Sequence, residues 1–167
     1  GPSVALGRDT ELVRDLMDAA AARISKGELD GSPEAKVELS RTIGETYRQI
    51  AEYDRAEPLL TAAAERARAG GDPSAAIDAL LALGLLRQDQ GRYDDAEKID
   101  TEAAGLAATL GPSGDGVRAE VLGKRSQLKY LTKDFPAAVA LGKEALELSR
   151  RVHAGDEKSV EIGRASC

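Results

Sequence analysis

Apolar residues recur at spacings of three and four along almost the whole chain, and short polar segments rich in Gly and Pro interrupt them. This spacing is typical of amphipathic α-helices. Ser32-Pro33 and Asp72-Pro73 each place a capping residue before a proline at the first helical position, which marks a helix start. Breaks are predicted at Gly70–Pro73, Gly111–Gly116 and Gly155-Asp156. The pattern therefore predicts an all-α chain.

The helices are predicted to form three consecutive pairs. The first helix of each pair ends at about Ala51, Gly91 and Lys133, respectively. The second helices follow at Asp54–Ala69, Asp94–Leu110 and Pro136–Val152. A further helix is predicted upstream at Thr10–Ile24, and Glu157–Cys167 is predicted to open a fourth pair without its partner.

The three pairs repeat one another in sequence. Pro33–Gly71 aligns with Pro73–Gly111 at an offset of 40 residues without gaps, and a third copy follows at an offset of 42. One aromatic position and two alanine positions recur in all three copies: Tyr53, Tyr93 and Phe135; Ala56, Ala96 and Ala138; Ala63, Ala103 and Ala145. Small residues let paired helices approach closely, and one hairpin cannot bury its apolar faces alone. We therefore expect the pairs to stack.

This repeat divides the chain into six parts. Residues 1–7 are expected to be a disordered start that includes the remnant of a cleaved tag, since Gly1-Pro2 is typical of one. The remaining boundaries are 8–31 for an N-terminal helix that is a partial repeat, 32–71 for repeat 1, 72–113 for repeat 2, 114–155 for repeat 3, and 156–167 for the truncated opening helix of repeat 4.

Composition and charge narrow the class of protein. Aromatic residues make up only 3% of the chain, which disfavours β-sandwiches and barrels. No apolar run approaches the roughly 18 residues of a membrane span, and the net charge of −6 disfavours binding to nucleic acid. The single cysteine, Cys167, excludes a disulfide framework and fits a reducing compartment. We expect a cytoplasmic protein without membrane insertion.

No catalytic residue, metal site or cofactor is predicted. The glycine-rich segment 111–116 follows a predicted helix rather than a strand, so it is interpreted as a turn and not as a phosphate-binding loop. His153 is expected just past a helix end, where a cation is favourable. Asp94-Asp95 opens a helix, and no Ser/His/Asp or Cys/His set is available. The segment is therefore predicted not to be an enzyme.

Several motifs resemble a known family. The spacing of Leu83-Gly84, then Gly91 to Ala96, then Ala103 resembles the tetratricopeptide repeat, and Ile43-Gly44, Tyr53 to Ala56 and Ala63 repeat that pattern. The third copy keeps Asp134-Phe135 and Ala138 but has Ser126 in place of the glycine. The length of 40–42 residues resembles the long repeats of kinesin light chains and many bacterial signalling proteins. Residues 13–17 and 55–60 resemble repeat regions attached to bacterial serine/threonine kinases.

The resemblance implies an αα-hairpin solenoid with a right-handed superhelix, in which the first helices line a concave face. It also implies a scaffold that binds a peptide or helix of a protein partner there. Carried over by position, the lining residues are Arg41, Glu45, Arg48, Leu81, Leu85, Gln88, Gln127 and Tyr130, with Glu38, Asp78 and Arg164 beside them. Leu81 and Leu85 are predicted either to be an exposed apolar anchor for a partner or to pack against the neighbouring repeat.

Charge is distributed unevenly along the chain. Residues 1–111 carry 13 basic and 21 acidic side chains, whereas residues 112–167 carry 10 and 8. A possible acidic-ligand stripe on one helix consists of Arg118, Arg125, Lys129 and Lys133. Such a stripe is suited to an acidic or phosphorylated segment, and its alternative interpretation is a solvated helix face.

Two other functions fit the same repeats. The chain is alternatively a structural spacer or dimerisation region for a catalytic domain elsewhere in a parent protein, since an open apolar helix face favours self-association. A small-molecule sensor is the other alternative, and it predicts a closed pocket between helices.

Overall fold

The computed structural model describes the backbone of residues 2–165 and the side chains of residues 9–155. In this part of the chain seven α-helices follow one another without a strand. Their bounds are α1 (Pro2–Ser25), α2 (Pro33–Gln49), α3 (Tyr53–Gly70), α4 (Pro73–Asp89), α5 (Tyr93–Ala108), α6 (Asp115–Leu131) and α7 (Phe135–Ala165). A short 3-10 turn at Pro112–Gly114 precedes α6. The predicted fold class, an all-α chain of consecutive αα-hairpins, is confirmed.

The helices fall into two compact units. Residues 1–91 hold α1 to α4, and residues 92–167 hold α5 to α7. In the first unit α2 packs against α1, α3 and α4, and α3 also packs against α4. In the second unit α6 packs against both α5 and α7. Each unit therefore contains a hairpin of adjacent antiparallel helices, α2 with α3 and α6 with α7.

The turn that follows the first helix of each pair lies at the same repeat position. Ala51, Gly91 and Lys133 have φ of 61°, 73° and 63° and end the first helix of each pair. A left-handed residue at this point reverses the chain direction after a helix. These are the three residues at which the sequence predicts the helix ends. The predicted start at Asp72-Pro73 is also confirmed, since Asp72 Oδ1 accepts a hydrogen bond from the Ser74 amide at 2.9 Å.

Small residues allow the helices of a pair to approach closely. Ala56, Ala63, Ala96 and Ala103 have no exposed surface. A Cβ added at Gly44 of α2 would lie 2.6 Å from Cγ of Leu60 in α3, so only glycine fits there. The predicted close approach is therefore confirmed for the first pair, α2 with α3, whereas Ala145 of the third pair is only half-buried.

The structure corrects the predicted end of the last helix. Helix α7 continues from Phe135 to Ala165, so the predicted end at Val152 and the break at Gly155-Asp156 are wrong. A lone glycine costs a helix only about 1 kcal/mol relative to alanine, and no proline or capping signal supports a break there. His153 consequently lies inside α7, where its Nδ1 is 2.8 Å from the Ser149 carbonyl oxygen, and not past the helix end.

The start of the chain differs from its prediction as well. Helix α1 begins at Pro2, ahead of the predicted start at Thr10 and within the segment predicted to be disordered. Proline suits a first helical position, and Ala5 and Leu6 are good helix formers, which explains the longer helix. The side chain of Arg164 and the whole of Cys167 lie outside the described residues.

Candidate functional site

The first helices of the first unit, α2 and α4, contact each other and carry paired charges. We use the name first-helix surface for the accessible side chains that they contribute: Glu38, Arg41, Glu45 and Arg48 of α2, and Asp78, Leu85 and Asp89 of α4. Arg48 of α2 reaches Asp89 of α4, with 2.6 Å between Nη1 and Oδ2. Arg41 pairs with Glu38 at 2.6 Å and with Glu45 at 2.8 Å on its own helix. The predicted ligand-lining charges of α2 are therefore all paired, in two separate groups around Arg41 and Arg48.

The pKa of Arg41 is raised by carboxylates of both first helices. Burial lowers the pKa of its guanidinium, but the hydrogen bond that Arg41 donates to Glu38 and the charges of Glu45 and Asp78 outweigh that effect and raise it. Since Asp78 belongs to α4, Arg41 lies between carboxylates of both first helices.

The two leucines of α4 differ in accessibility. Leu81 is only 5% exposed, whereas Leu85 is half-buried. Of the two alternatives predicted for this pair, an exposed anchor is wrong for Leu81, which is buried as a packed side chain is. Eleven of the 17 residues of α4 are buried, because the helix is apolar on nearly all sides and such helices belong to the interior. Gln88 is also buried, and neither polar atom of its amide has a hydrogen-bond partner in the described structure.

A cleft of about 300 Å³ lies where the first turns of α2 and α4 meet the last turns of α3. We call it the α2–α4 cleft. Its floor is apolar and its rim is charged, with Val37, Ala67 and Ala75 on the floor and Glu34, Glu38, Arg41, Arg66 and Asp72 on the rim. Three carboxylates face two guanidinium groups, so the rim has a small acidic excess. The cleft therefore suits an apolar side chain that carries a basic neighbour.

Sequence reasoning found two residues of this cleft, Glu38 and Arg41, and missed the others. Asp72 was interpreted only through its place at a helix start, Glu34 was not singled out, and Arg66 lies near the end of a second helix. The available signal was the offset of 40 that places Ser32-Pro33 on Asp72-Pro73, since it indicates that two helix starts recur at one level of the array.

The possible acidic-ligand stripe of the second unit is bound to carboxylates of its own chain. Arg125 and Lys129 of α6 lie 3.7 Å and 3.1 Å from the two carboxylate oxygens of Glu97 in α5. Arg118 pairs with Asp115 one turn earlier. Lys133 follows the end of α6 at Leu131, so the prediction that it continues the helical stripe is wrong. The left-handed turn at Lys133 ends the helix before the row is complete.

Two predicted lining residues of α6 are accessible. Gln127 and Tyr130 are both exposed, and the Tyr130 ring meets the Phe135 ring edge-on with 5.6 Å between the ring centroids. Their role in partner binding stays a prediction.

A buried carboxylate in α5 was missed by the sequence reasoning. Asp100 is 1% exposed, and its Oδ2 has no hydrogen-bond partner in the described structure. Burial, and to a smaller extent the nearby Glu97, raise the pKa of Asp100 to about 6 against the opposing effects of Arg125 and Lys124. The sequence feature that could have revealed this carboxylate is again the repeat offset of 40 residues, because Asp100 aligns with the fully buried Leu60 of repeat 1.

Helices α1, α2 and α3 are joined by a polar cluster with a structural role. The buried Tyr47 hydroxyl donates a hydrogen bond to Asp18, and Arg55 donates a second one to the same oxygen. The bond from Arg55, followed by that from Tyr47, lowers the pKa of Asp18. Burial and the bond to Asp18 raise the pKa of Tyr47 to about 12. All three groups therefore satisfy one another.

Among the described side chains no group of three or more His, Cys, Asp or Glu residues is arranged to hold a metal ion. Within the same part of the chain, none of the helices has the length and apolar character needed to cross a membrane.

Comparison with known families decides the classification. Two models of the tetratricopeptide repeat match, one over residues 42–74 and one over residues 76–151, so they cover more than half of the chain together. The chain belongs to the tetratricopeptide repeat family. Repeats of this family are typically non-catalytic scaffolds that bind protein partners. No curated protein matches the sequence of this tetratricopeptide repeat chain.

Solved structures agree with the fold. BtubC (BKLC) from P. vanneervenii superposes with a TM-score of 0.70 at 20% identity, over 84% of this chain and 58% of BtubC. The TPR domain of Arabidopsis FLU gives a TM-score of 0.60 at 21% identity, over 73% of this chain and 98% of that domain. The chain thus spans little more than half the length of BtubC. At these identities the likeness concerns the fold alone.

Proposed function

We propose that this tetratricopeptide repeat chain binds a peptide or helix of a protein partner on its first-helix surface, with the α2–α4 cleft as the anchoring point. The main observation behind the proposal is the cleft, because it combines an apolar floor with a charged rim that includes Arg41 and Glu38. The acidic excess of the rim favours a ligand that places a lysine or arginine next to an apolar side chain. Leu85 of the same unit is proposed as a further contact residue, since it is not buried. Gln127 and Tyr130 are proposed separately as contact residues of the second unit, since both are exposed.

The parent protein is proposed to be a bacterial, cytoplasmic signalling protein such as a serine/threonine kinase, with these repeats as its regulatory region. The resemblance of residues 13–17 and 55–60 to kinase-attached repeats supports this context. The spacing of the left-handed turns at residues 51, 91 and 133 supports repeats of the long kinesin light chain type.

The anchoring point is tested with short labelled peptides and fluorescence anisotropy. One peptide set places a leucine between lysines or arginines, and the matched set places it between aspartates or glutamates. We expect the basic set to bind and the acidic set not to bind. Ala75→Arg projects a cation onto the cleft floor and is expected to weaken binding about tenfold or more, equivalent to at least about 1.4 kcal/mol.

The control variant Ala140→Arg adds the same side chain at an exposed position of α7 and is expected to leave binding unchanged. A preference for the acidic set, or equal binding by Ala75→Arg and the parent chain, would show that the α2–α4 cleft is not the anchoring point.

A further inference from the structure

The first helix carries an exposed apolar stripe. Leu12 and Leu16 of α1 are 61% and 57% exposed, and their spacing of four residues places them on one helix face. Asp9 precedes Leu12 by three residues, and Asp15 follows it by three, so both carboxylates flank the stripe. We call Asp9, Leu12, Asp15 and Leu16 the α1 face.

A notch of about 90 Å³ continues this face toward α2. It is lined by Ala20, Arg23, Ile24, Glu28, Leu29 and Leu39. Ala20 lies one helical turn after Leu16, so the stripe leads into the notch. A cavity that binds benzene has a volume of about 150 Å³. Because the notch is smaller than that, it suits one aliphatic side chain rather than an aromatic ring.

The last helix carries a second apolar stripe with the opposite charge. Val139 and Leu146 of α7 are 56% and 51% exposed, and Phe135 lies on the same side one turn earlier. Lys143 follows Val139 by four residues, and Arg150 follows Leu146 by four, so both cations lie on this side of the helix. We call Val139, Lys143, Leu146 and Arg150 the α7 face.

The charges of both faces are available to a partner. Asp9, Asp15, Lys143 and Arg150 are all exposed, and none of them forms an ion pair within the described part of the chain. Large exposed apolar residues at neighbouring positions mark an interaction surface rather than an ordinary solvated helix. The two faces are complementary in both respects, because each has an apolar centre and their flanking charges are opposite.

We propose that the α1 face of one copy of this chain packs against the α7 face of a second copy. The contact is heterologous, since an α1–α1 or α7–α7 pair would bring like charges together. An aliphatic side chain such as Leu146 fills the notch beside the α1 face. The surface is distinct from the α2–α4 cleft, so either proposal can fail without the other.

The test uses two variants, each blocked at one face. Leu12→Glu with Leu16→Glu adds acidic side chains to the α1 face, and Val139→Lys with Leu146→Lys adds basic ones to the α7 face. The mass is measured by sedimentation equilibrium over a range of concentrations. We expect the mass of the parent chain to rise with concentration and each blocked variant alone to remain a monomer. An equimolar mixture of the two variants should form a one-to-one dimer, because the mixture retains one intact face of each kind.

Three results would overturn the proposal: a parent chain that stays monomeric at every concentration, a blocked variant that still dimerises alone, or a mixture that stays monomeric. The matched control, Ala69→Glu with Thr101→Glu, adds two charges at exposed positions elsewhere and should associate like the parent chain. Circular dichroism of every variant checks that the helices are retained.

A charge-exchange pair keeps the proposal testable if the apolar substitutions unfold the chain. Asp9→Lys with Asp15→Lys should abolish association by the variant alone. Adding Lys143→Glu and Arg150→Glu to the same chain should restore it, since every facing pair is then opposite in charge again. Failure of this reversal to restore association contradicts the complementary contact.

Discussion

Replacing Asp100 by asparagine is expected to stabilise the protein at neutral pH and to have little effect in acid. The carboxyl group is 1% exposed in α5, and its pKa rises from 3.8 to about 6 because burial disfavours the charged form. Asparagine keeps the shape of the side chain and removes the ionisation. The change therefore isolates the cost of the buried charge.

The size of the effect follows from the pKa. A shift of about two units corresponds to about 3 kcal/mol at 1.36 kcal/mol per unit. At about pH 4 the carboxyl group of the unfolded chain is already partly ionised, so the part of this difference that falls between about pH 4 and about pH 7 is about 2 kcal/mol. The folded protein holds the proton of Asp100 more tightly than the unfolded chain does. Its free energy of unfolding consequently falls as pH rises from 3.8 to about 6, and the loss is complete above that window.

Urea denaturation followed by circular dichroism measures this difference. The gain in unfolding free energy of Asp100→Asn over the parent chain should be about 2 kcal/mol larger at about pH 7 than at about pH 4. Glu120→Gln in α6 is the control, because Glu120 is exposed, and its effect should be nearly independent of pH. A gain for Asp100→Asn that is equal at both pH values would refute the reasoning.

Two further predictions concern packing and a buried charge. Gly44→Ala should lower the free energy of unfolding by about 1 to 3 kcal/mol, because the added methyl group overpacks the contact with Leu60. Gly123→Ala, which has open space around the new methyl group, should raise the free energy of unfolding by about 0.5 to 1 kcal/mol. Urea midpoints of the two variants that move in the same direction would contradict this. Glu57→Gln should lower the free energy of unfolding by about 1.5 to 3 kcal/mol, because the buried Arg87 loses a charged partner at 2.6 Å. The control Glu65→Gln, on the exposed side of α3, should change the free energy of unfolding, measured by thermal denaturation, by less than about 0.5 kcal/mol.

Local signals were sufficient to predict the helix pairs. The predicted ends at Ala51, Gly91 and Lys133 coincide with the left-handed turns, since a recurring turn leaves a recurring sequence pattern. The close approach at Gly44 was likewise predictable, because the small residue recurs at a fixed place relative to Ala56.

Features that depend on neighbouring helices were not predictable from one helix at a time. Leu81 is buried because α4 is enclosed on nearly all sides, and a helical register alone does not give that enclosure. Arg125 and Lys129 were expected to face a ligand, but their distance to Glu97 depends on how α5 and α6 pack. The α2–α4 cleft arises where three helix termini meet, so no single motif encodes it.

The charges of the first-helix surface are paired with one another before any partner arrives. Arg48 reaches Asp89, and Arg41 is held by Glu38 and Glu45. A ligand that binds there exchanges ion pairs with these groups instead of neutralising isolated charges, so it displaces few condensed ions from the surface. Changes in ionic strength, which screen unpaired exposed charges most, should then act on the affinity mainly through the acidic excess of the cleft rim and only slightly through these ion pairs. The pairs therefore limit the salt dependence of binding to the charges of the α2–α4 cleft.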